Sequence, residues 1–338
     1  MKISTISVDL AKNVFQLMMF DGQHKVQQEK RLNRSAFHQL IQQHPPCNVV
    51  MEACYSSNYW ARELERYNFK VKLIPAQHVT PFVRGNKNDR NDALAIYEAS
   101  QRPYIRPVPI KTEHQQEILM LHRIRDRTVA ERDALTNQTR GLLTDFGFVF
   151  NQGHKAFYQG LTALLGTELS HVKRLIIQQA LDDYKRLRER VAQIETELKR
   201  FISESPAAQI LLSMPGVGPI IASAFAAYID KAQAFNNAKD FAVWLGLTPK
   251  QSASGHRSTM GGISKRGNGY LRKQLIHGAR ALLCKAAYKT DALHQWIAQL
   301  RCRKHANCVV VAIAHRLARL MWVLLTHNSV YQAQPAKV

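Results

Sequence analysis

Acidic side chains almost vanish from the last quarter of the sequence. From Gln251 to Val338 there are 14 Lys or Arg and one acid, Asp291; before residue 251 there are 33 bases and 24 acids. The whole chain carries 47 bases against 25 acids, a formal charge of +22. So one-sided a charge points to a polyanionic partner. Cysteine is also scarce. Five cysteines with no Cys-x-x-Cys exclude a disulfide framework and fit free thiols in a reducing cytoplasm. Cys302, His305 and Cys308 are spaced three apart, but a structural zinc site needs a fourth ligand and the neighbouring sequence offers none. Long apolar runs are missing too. The most apolar late stretch, Cys308 to Leu325, is broken by His315, Arg316 and Arg319, so no membrane span is expected. The N-terminus is strand-like with Asp9 inside it, unlike a signal peptide. With no lipidation motif or segregated amphipathic anchor either, the expected partner is nucleic acid, not a membrane.

What is present is a globular chain. Its 338 residues are 46% apolar, enough for two or three domains with a sizeable core. The first 111 residues read as three strands, helix, strand, helix, strand, helix. Strands are expected at Lys2 to Val8, Val14 to Phe20, His24 to Leu32, Asn48 to Met51 and Val71 to Pro75. Asp21-Gly22 is the hairpin turn signal between the second and third. Helices are expected at Ser35 to Gln43, Ser57 to Tyr67 and Asp89 to Ser100. A hairpin-rich start followed by βαβ units is the RNase H-like arrangement.

Four acids stand at telling places in that pattern. Asp9 ends the first strand and Glu52 follows the apolar run Val49-Val50-Met51. Asp89 and Asp92 are three apart and so share a helical face. Taken singly each has a structural reading, Asp9 as a turn cap and Asp89 as a helix cap. Together, on neighbouring strand ends and a facing helix, they would repel unless a cation joined them. Hard oxygen donors suit Mg²⁺ or Mn²⁺, and such a cluster serves phosphoryl transfer.

Residues 251–273 hold four serines, five glycines, five bases and no acid. The spacing predicts a flexible basic loop up to Gly269 and a helix from Tyr270. A hydroxyl there can serve as a nucleophile on a phosphodiester while Arg257, Lys265, Arg266, Arg272 and Lys273 neutralise phosphate. The plainer reading is a loop that only grips phosphate.

Between these ends, Glu113 to Asp145 reads as a long charged helix and 150–168 as a less regular linking hairpin. From Ile177 a three-four apolar spacing runs through Ala180, Tyr184, Leu187, Val191, Ile194 and Leu198 to Phe201. That is a coiled-coil seam, whose partner is a helix of the same chain or of a second copy. Met214-Pro215-Gly216-Val217-Gly218-Pro219 reads as the turn of a helix-hairpin-helix. Gly216 and Gly218 would either expose backbone N–H groups to phosphate or simply permit a tight connection. Tyr270 to Ala287 and Leu293 to Thr326 are expected to be helical.

Three stretches together resemble the DEDD-type insertion-sequence transposases of the IS-one-ten family, and within it the IS-eleven-eleven group. They are Val8-Asp9-Leu10-Ala11-Lys12; Met51-Glu52-Ala53 with Lys87-Asn88-Asp89-Arg90-Asn91-Asp92-Ala93; and the run from Met214-Pro215-Gly216-Val217-Gly218 through Gly246-Leu247-Thr248-Pro249 and Ser254-Gly255 to Gly262-Ile263-Ser264-Lys265-Arg266-Gly267. The resemblance implies a RuvC-like domain at 1–111, with Asp9, Glu52, Asp89 and Asp92 as catalytic, Mg²⁺- or Mn²⁺-binding acids. It implies a coiled-coil helical region at 112–206 and a mainly α transposase domain at 207–338 with a catalytic serine. Ser254, before Gly255 and nine residues ahead of Ile263, matches that serine. The family's second serine and second glycine are replaced here by Ala253 and His256, which keeps Ser252 as runner-up. The resemblance further implies DNA strand exchange for transposition through a phosphoserine link, guided by a structured non-coding RNA (the bridge RNA) that pairs with donor and target DNA. It implies dimers assembling to a tetramer, in a prokaryotic cytoplasm at the nucleoid. The alternatives are a metal-dependent junction nuclease that uses water and a non-catalytic DNA- or RNA-binding protein.

Overall fold

The computed structural model describes all residues except Met1, Asn86, Lys87, Asp230, Lys231, Gln233, Ala234, His256, Ala287, Tyr288, Gln334 and 336–338. Lys87 and His256 of the motifs above therefore lie outside the described residues. The chain divides into two compact units, Met1–Glu113 and His114–Val338. By contact, the long helices at 112–206 belong with the C-terminal unit.

The first unit is a five-stranded sheet in the order β3-β2-β1-β4-β5. Its strands are β1 (Thr5–Leu10), β2 (Val14–Phe20), β3 (Val26–Asn33), β4 (Asn48–Glu52) and β5 (Lys70–Ile74). β1, β2 and β3 pair antiparallel, whereas β4 pairs parallel with both β1 and β5. This mixed order fits the expected RNase H-like arrangement. Parallel pairing demands crossovers, which the sequence supplies as α1 (Arg34–Gln43) and α2 (Ser57–Arg66). Asn33 caps α1 by accepting from the Ala36 N–H. One sheet face buries Phe15, Phe37 and Trp60 edge to face, with centroids 5.0–5.2 Å apart. The other is covered by α4 (Asp89–Ser100), whose Ala93, Ala95, Ile96 and Ala99 are fully buried. Short side chains let that helix lie close on the sheet. A short helix, α3 (Ala76–Val79), and a 3₁₀ turn lead into it.

Among the described residues, the regular structure of the second unit is helical apart from one hairpin. α5 (Glu113–Thr144) and α7 (His171–Glu204) are its long members. Between them 154–165 is a regular helix, α6 (His154–Leu165), not the irregular hairpin the sequence suggested. Phe157 and Leu161 on its inner face are wholly buried against the α5 and α7 ends, and that packing makes the segment helical. Every position of the α7 seam except Leu187 is buried within this chain. Its partners are α6 and the helices α8 (Pro206–Leu212) and α9 (Pro219–Ile229), so the seam has an internal use.

The core continues through α10 (Ala238–Trp244), α11 (Gly269–Lys285), α12 (Ala292–Arg301) and α13 (Ala306–His327). The single late helix expected at 293–326 is broken at 302–305, between Cys302, which ends α12, and His305, which caps the start of α13. Cys302 and His305 thus flank a helix break, and no zinc cluster exists among the described residues. By length and composition α13 could cross a membrane. Its Val309, Ile313, Ala314, Leu317, Ala318 and Met321 are instead buried in this core, which accounts for its apolarity.

Candidate active site and nucleic-acid interface

Parallel register brings the first two acids together. Val8 pairs with Met51, so Asp9 and Glu52 follow side by side at the carboxyl ends of β1 and β4. The N-terminus of α4 supplies the other two. Asn88 caps it by accepting from the Asn91 N–H, and Asp89 and Asp92 fall in its first turn, which favours negative charge. The Ser7 hydroxyl donates to the Ala93 carbonyl and ties α4 to β1, one turn from the acids.

The electrostatics agree with this placement. Asp9 is pushed up from 3.8 to about 6, first by burial and then by the charges of Asp92, Asp89 and Glu52. Among the described residues no three acidic, histidine or cysteine groups converge enough to clasp an ion as they lie. The four carboxylates are near enough to repel, but not drawn in. As a set of hard oxygen donors whose repulsion a cation would relieve, they fit a divalent metal ion.

The strand pattern also places residues that sequence reasoning missed. Asp9 faces Gln16, which faces Arg31, in one row across β1, β2 and β3. The Arg31 guanidinium lies 3.6 Å from Asp89. Glu29 accepts from Gln16 (2.9 Å) and from Arg90 (3.0 Å) and so braces both sides of the row. Extending the strand alternation across the hairpin would have found them.

The serine stretch is not a loop. β6 (Pro249–Ser254) and β7 (Arg257–Ile263) pair antiparallel, with Gly255 in the turn and Gly261 and Gly262 along the ladder; Gly267 follows the hairpin and Gly269 begins α11. Gly255, at φ +54°, takes the left-handed conformation that lets the chain reverse. Ser254 is opposite Arg257 and Ser252 opposite Thr259, so both serine candidates share a face with Arg257. Ser258 lies on the other face opposite Ala253, and its hydroxyl accepts from Gln251 at 3.1 Å. Every described residue of the hairpin is exposed on both faces except Ile263, which is half-buried at its root.

That root is rigid. The Ser264 N–H donates to Thr248 and the Lys265 N–H to Gly246. A Cβ on Gly267 would lie 1.9 Å from the Trp244 carbonyl, and one on Gly246 would lie 2.2 Å from that of Arg266. Lys265 is left-handed at φ +55°, a strained state for a lysine that this clamp sustains.

The remaining expected contacts divide. Arg272 donates to the carbonyls of Leu245 and Arg266, and Lys273 pairs with Asp126, so both are spent inside the unit. The side chains of Arg257, Lys265 and Arg266 are exposed. Gly216, at φ +77°, abuts α11, where the Gly278 carbonyl is 2.9 Å from its notional Cβ; close packing explains that glycine. The Gly218 carbonyl accepts from Ile221 and Ala222 and opens α9, with open space where a side chain would be.

Comparison with known proteins matches both units to one family. A family model described as a transposase, of the DEDD type, covers residues 6–148. A second, described as "Transposase IS116/IS110/IS902 family", covers 208–295. A "Probable family 20 transposase" of Pseudomonas aeruginosa is 41% identical over 98% of this chain and 99% of its own length. The transposase of insertion sequence element IS1111A of Coxiella burnetii is 38% identical over 98% of this chain and 92% of its own. That of IS1328 of Yersinia enterocolitica is 36% identical over 97% and 98%. The chain belongs to the IS116/IS110/IS902 family of transposases, enzymes that act on DNA.

Proposed function

We propose that this transposase cuts and rejoins DNA through Ser254, with Asp9, Glu52, Asp89 and Asp92 holding Mg²⁺ or Mn²⁺. The observation that carries the serine reading is the placement of Ser254 at the tip of a bare hairpin, opposite Arg257 and open to solvent. A side chain meant to touch a DNA backbone has to protrude, and a cation opposite it can meet the phosphate. Ser252 lies one pair further from the tip on the same face, whereas Ser258 points the other way.

In this reading the Ser254 hydroxyl loses its proton and its oxygen attacks phosphorus. The phosphorus–oxygen bond to the sugar breaks, the sugar oxygen takes up a proton, and a phosphoserine holds the broken strand. Attack by another strand's sugar hydroxyl reverses the step, so the strand is exchanged without net hydrolysis. A divalent cation, when bound, supplies positive charge to the phosphoryl group in its transition state. The acids hold it, and Arg257 screens the phosphate.

A structured guide RNA that pairs with donor and target DNA completes the proposal; it rests on the family resemblance, with the +22 charge as its physical support. So does assembly of dimers into a tetramer. Exposed Leu142 in the last turn of α5 and Phe146 and Val149 after it, with Val172 and Leu175 on α7, form apolar surface at one end of the long helices, which a second copy would cover. The five free cysteines fit action in a prokaryotic cytoplasm, at the nucleoid.

Trapping tests the reading. Protein, Mg²⁺, the element's RNA and labelled donor and target DNA are combined, denatured and examined for label on the protein. An adduct present in wild type and in Ser252→Ala but absent in Ser254→Ala is the expected result. DNA cut without an adduct, still cut by Ser254→Ala and not by Glu52→Ala, would establish a water-using nuclease instead.

A further inference from the structure

A groove of about 720 Å³ opens at the root of the serine hairpin, in the range of volumes that hold small ligands. Pro249 and Ile263, the pair that starts and ends the hairpin, form one wall. Trp296 of α12 with Ala312 and Val323 of α13 form the other. Three groups on α13 edge it. Arg316 stacks on Trp296, 4.5 Å from the ring centre, and Arg319 is exposed with no ion pair among the described residues. Burial, and then the Arg319 charge, push His315 below its ordinary value, so at neutral pH it is an uncharged hydrogen-bonding group. No acid lines the groove among the described residues. Asp291, the one acid after residue 250, caps α12 and pairs with His294 at 2.6 Å.

We infer that this groove holds an unpaired stretch of DNA, with bases against Trp296 and Val323 and the backbone along Arg316 and Arg319. An apolar floor with a tryptophan and a purely basic edge is how proteins hold single strands: the ring face takes bases and the cations track phosphates. Duplex DNA cannot use such a slot, because its base faces are already stacked. The position favours DNA as the occupant. A strand running from Ser254 along the hairpin reaches the groove at Pro249 and Ile263 without leaving the protein surface. The inference rests on the strand-exchange reading, since exchange requires strands that have left one duplex and not yet entered another.

The test is equilibrium binding, which needs no cleavage and so stays informative if the serine chemistry is wrong. Fluorescent oligothymidine of about a dozen nucleotides, within the usual site size, is titrated into the full-length protein beside a duplex of equal length at fixed salt. Trp296→Ala removes the platform. Ala312→Phe fills the groove from a half-buried position on α13 and guards against a folding defect in the first variant. Each should weaken single-strand binding about tenfold, the loss of one stacked base, and change duplex binding by less than about twofold. A strand carrying 5-iodouracil should photocross-link to Trp296 in wild type and in Ser254→Ala alike. Equal losses on duplex and single strand, no loss in either variant, or cross-links outside the groove would overturn the inference. Stronger binding of oligouridine RNA with loss of the DNA cross-link would assign the groove to RNA. A changed oligomeric state in Ala312→Phe with strand affinity intact would assign it to a second copy.

Discussion

The two candidate sites are built on opposite principles. The acids stand on the sheet of a packed unit, and parallel register fixes Asp9 beside Glu52 whether or not a ligand is present. Ser254 stands on a two-stranded ladder with no core on either face. An isolated hairpin in water is marginal at best, so this one takes its order from its clamped root and from whatever it grips. One site is set by folding and strained by like charges; the other is exposed on both faces and is held at its root. The sheet fixes the place of the acids, whereas the hairpin is held only at its root.

The sharpest way to break the comparison is to remove one group from each site. Glu52→Gln and Ser254→Ala should each lower strand transfer by at least about a hundredfold, read in a donor-to-target joining assay. Their effects on the metal-free fold should differ. Glu52→Gln removes one of the charges that raise Asp9, so its midpoint of thermal unfolding at pH 7.5 should rise. Ser254→Ala should leave it within about 0.5 kcal/mol of wild type, because nothing packs on that side chain. Equal midpoints in all three proteins would mean that the acids do not repel as described.

The root of the hairpin should be far less forgiving than the strands it carries. Gly246→Ala and Gly267→Ala force a Cβ to within 2.2 and 1.9 Å of backbone carbonyls at positive φ. Each should cost about 3 kcal/mol or more in urea unfolding, since backbone, not a flexible side chain, has to move.

A third contrast lies inside the helical unit. His122 of α5 is buried between the Tyr270 hydroxyl (3.0 Å) and that of Ser223 (3.1 Å), and links α5 to α11 and α9. Burial first, then Arg125, lower it from 6.5 to about 4. The unfolded chain therefore binds a proton between those values that the folded chain refuses. Stability is complete above pH 6.5 and falls as pH drops toward 4, by about 3 kcal/mol at most. Urea midpoints across that range should show this slope, and His122→Gln should flatten it.

Much of this was readable in advance, and for definite reasons. Strand alternation, the Asp21-Gly22 turn and the apolar run before Glu52 are local signals, so the sheet and its four acids could be read from the chain itself. The hairpin at 249–263 was hidden because its ladder has no apolar alternation: neither face is buried, so no hydrophobic period marks it as strand. The helix at 154–165 was missed because tertiary packing of Phe157 and Leu161, more than local pattern, holds it. Arg272 and Lys273 looked like phosphate contacts because charge does not reveal whether a partner lies in the same chain. The Gln16 and Arg31 row needed strand register, which only the paired sheet supplies.

The smallest effect is expected at the hairpin's tip, where it is most informative. Gly255 is left-handed like Gly267, but a Cβ there would meet nothing within 4 Å. Gly255→Ala should therefore cost only the conformational penalty, about 1–2 kcal/mol, and only to the turn. Because the ladder contributes to neither core, that loss should not reach the global unfolding of the helical unit, and its thermal midpoint should stay unchanged. Hydrogen exchange should show it instead: the β6 and β7 amides should exchange faster than in wild type, while those of α11 and α13 keep their protection. A shifted global midpoint would show that the hairpin is coupled to the core, and the contrast between a fixed acid site and a loosely held serine would fail.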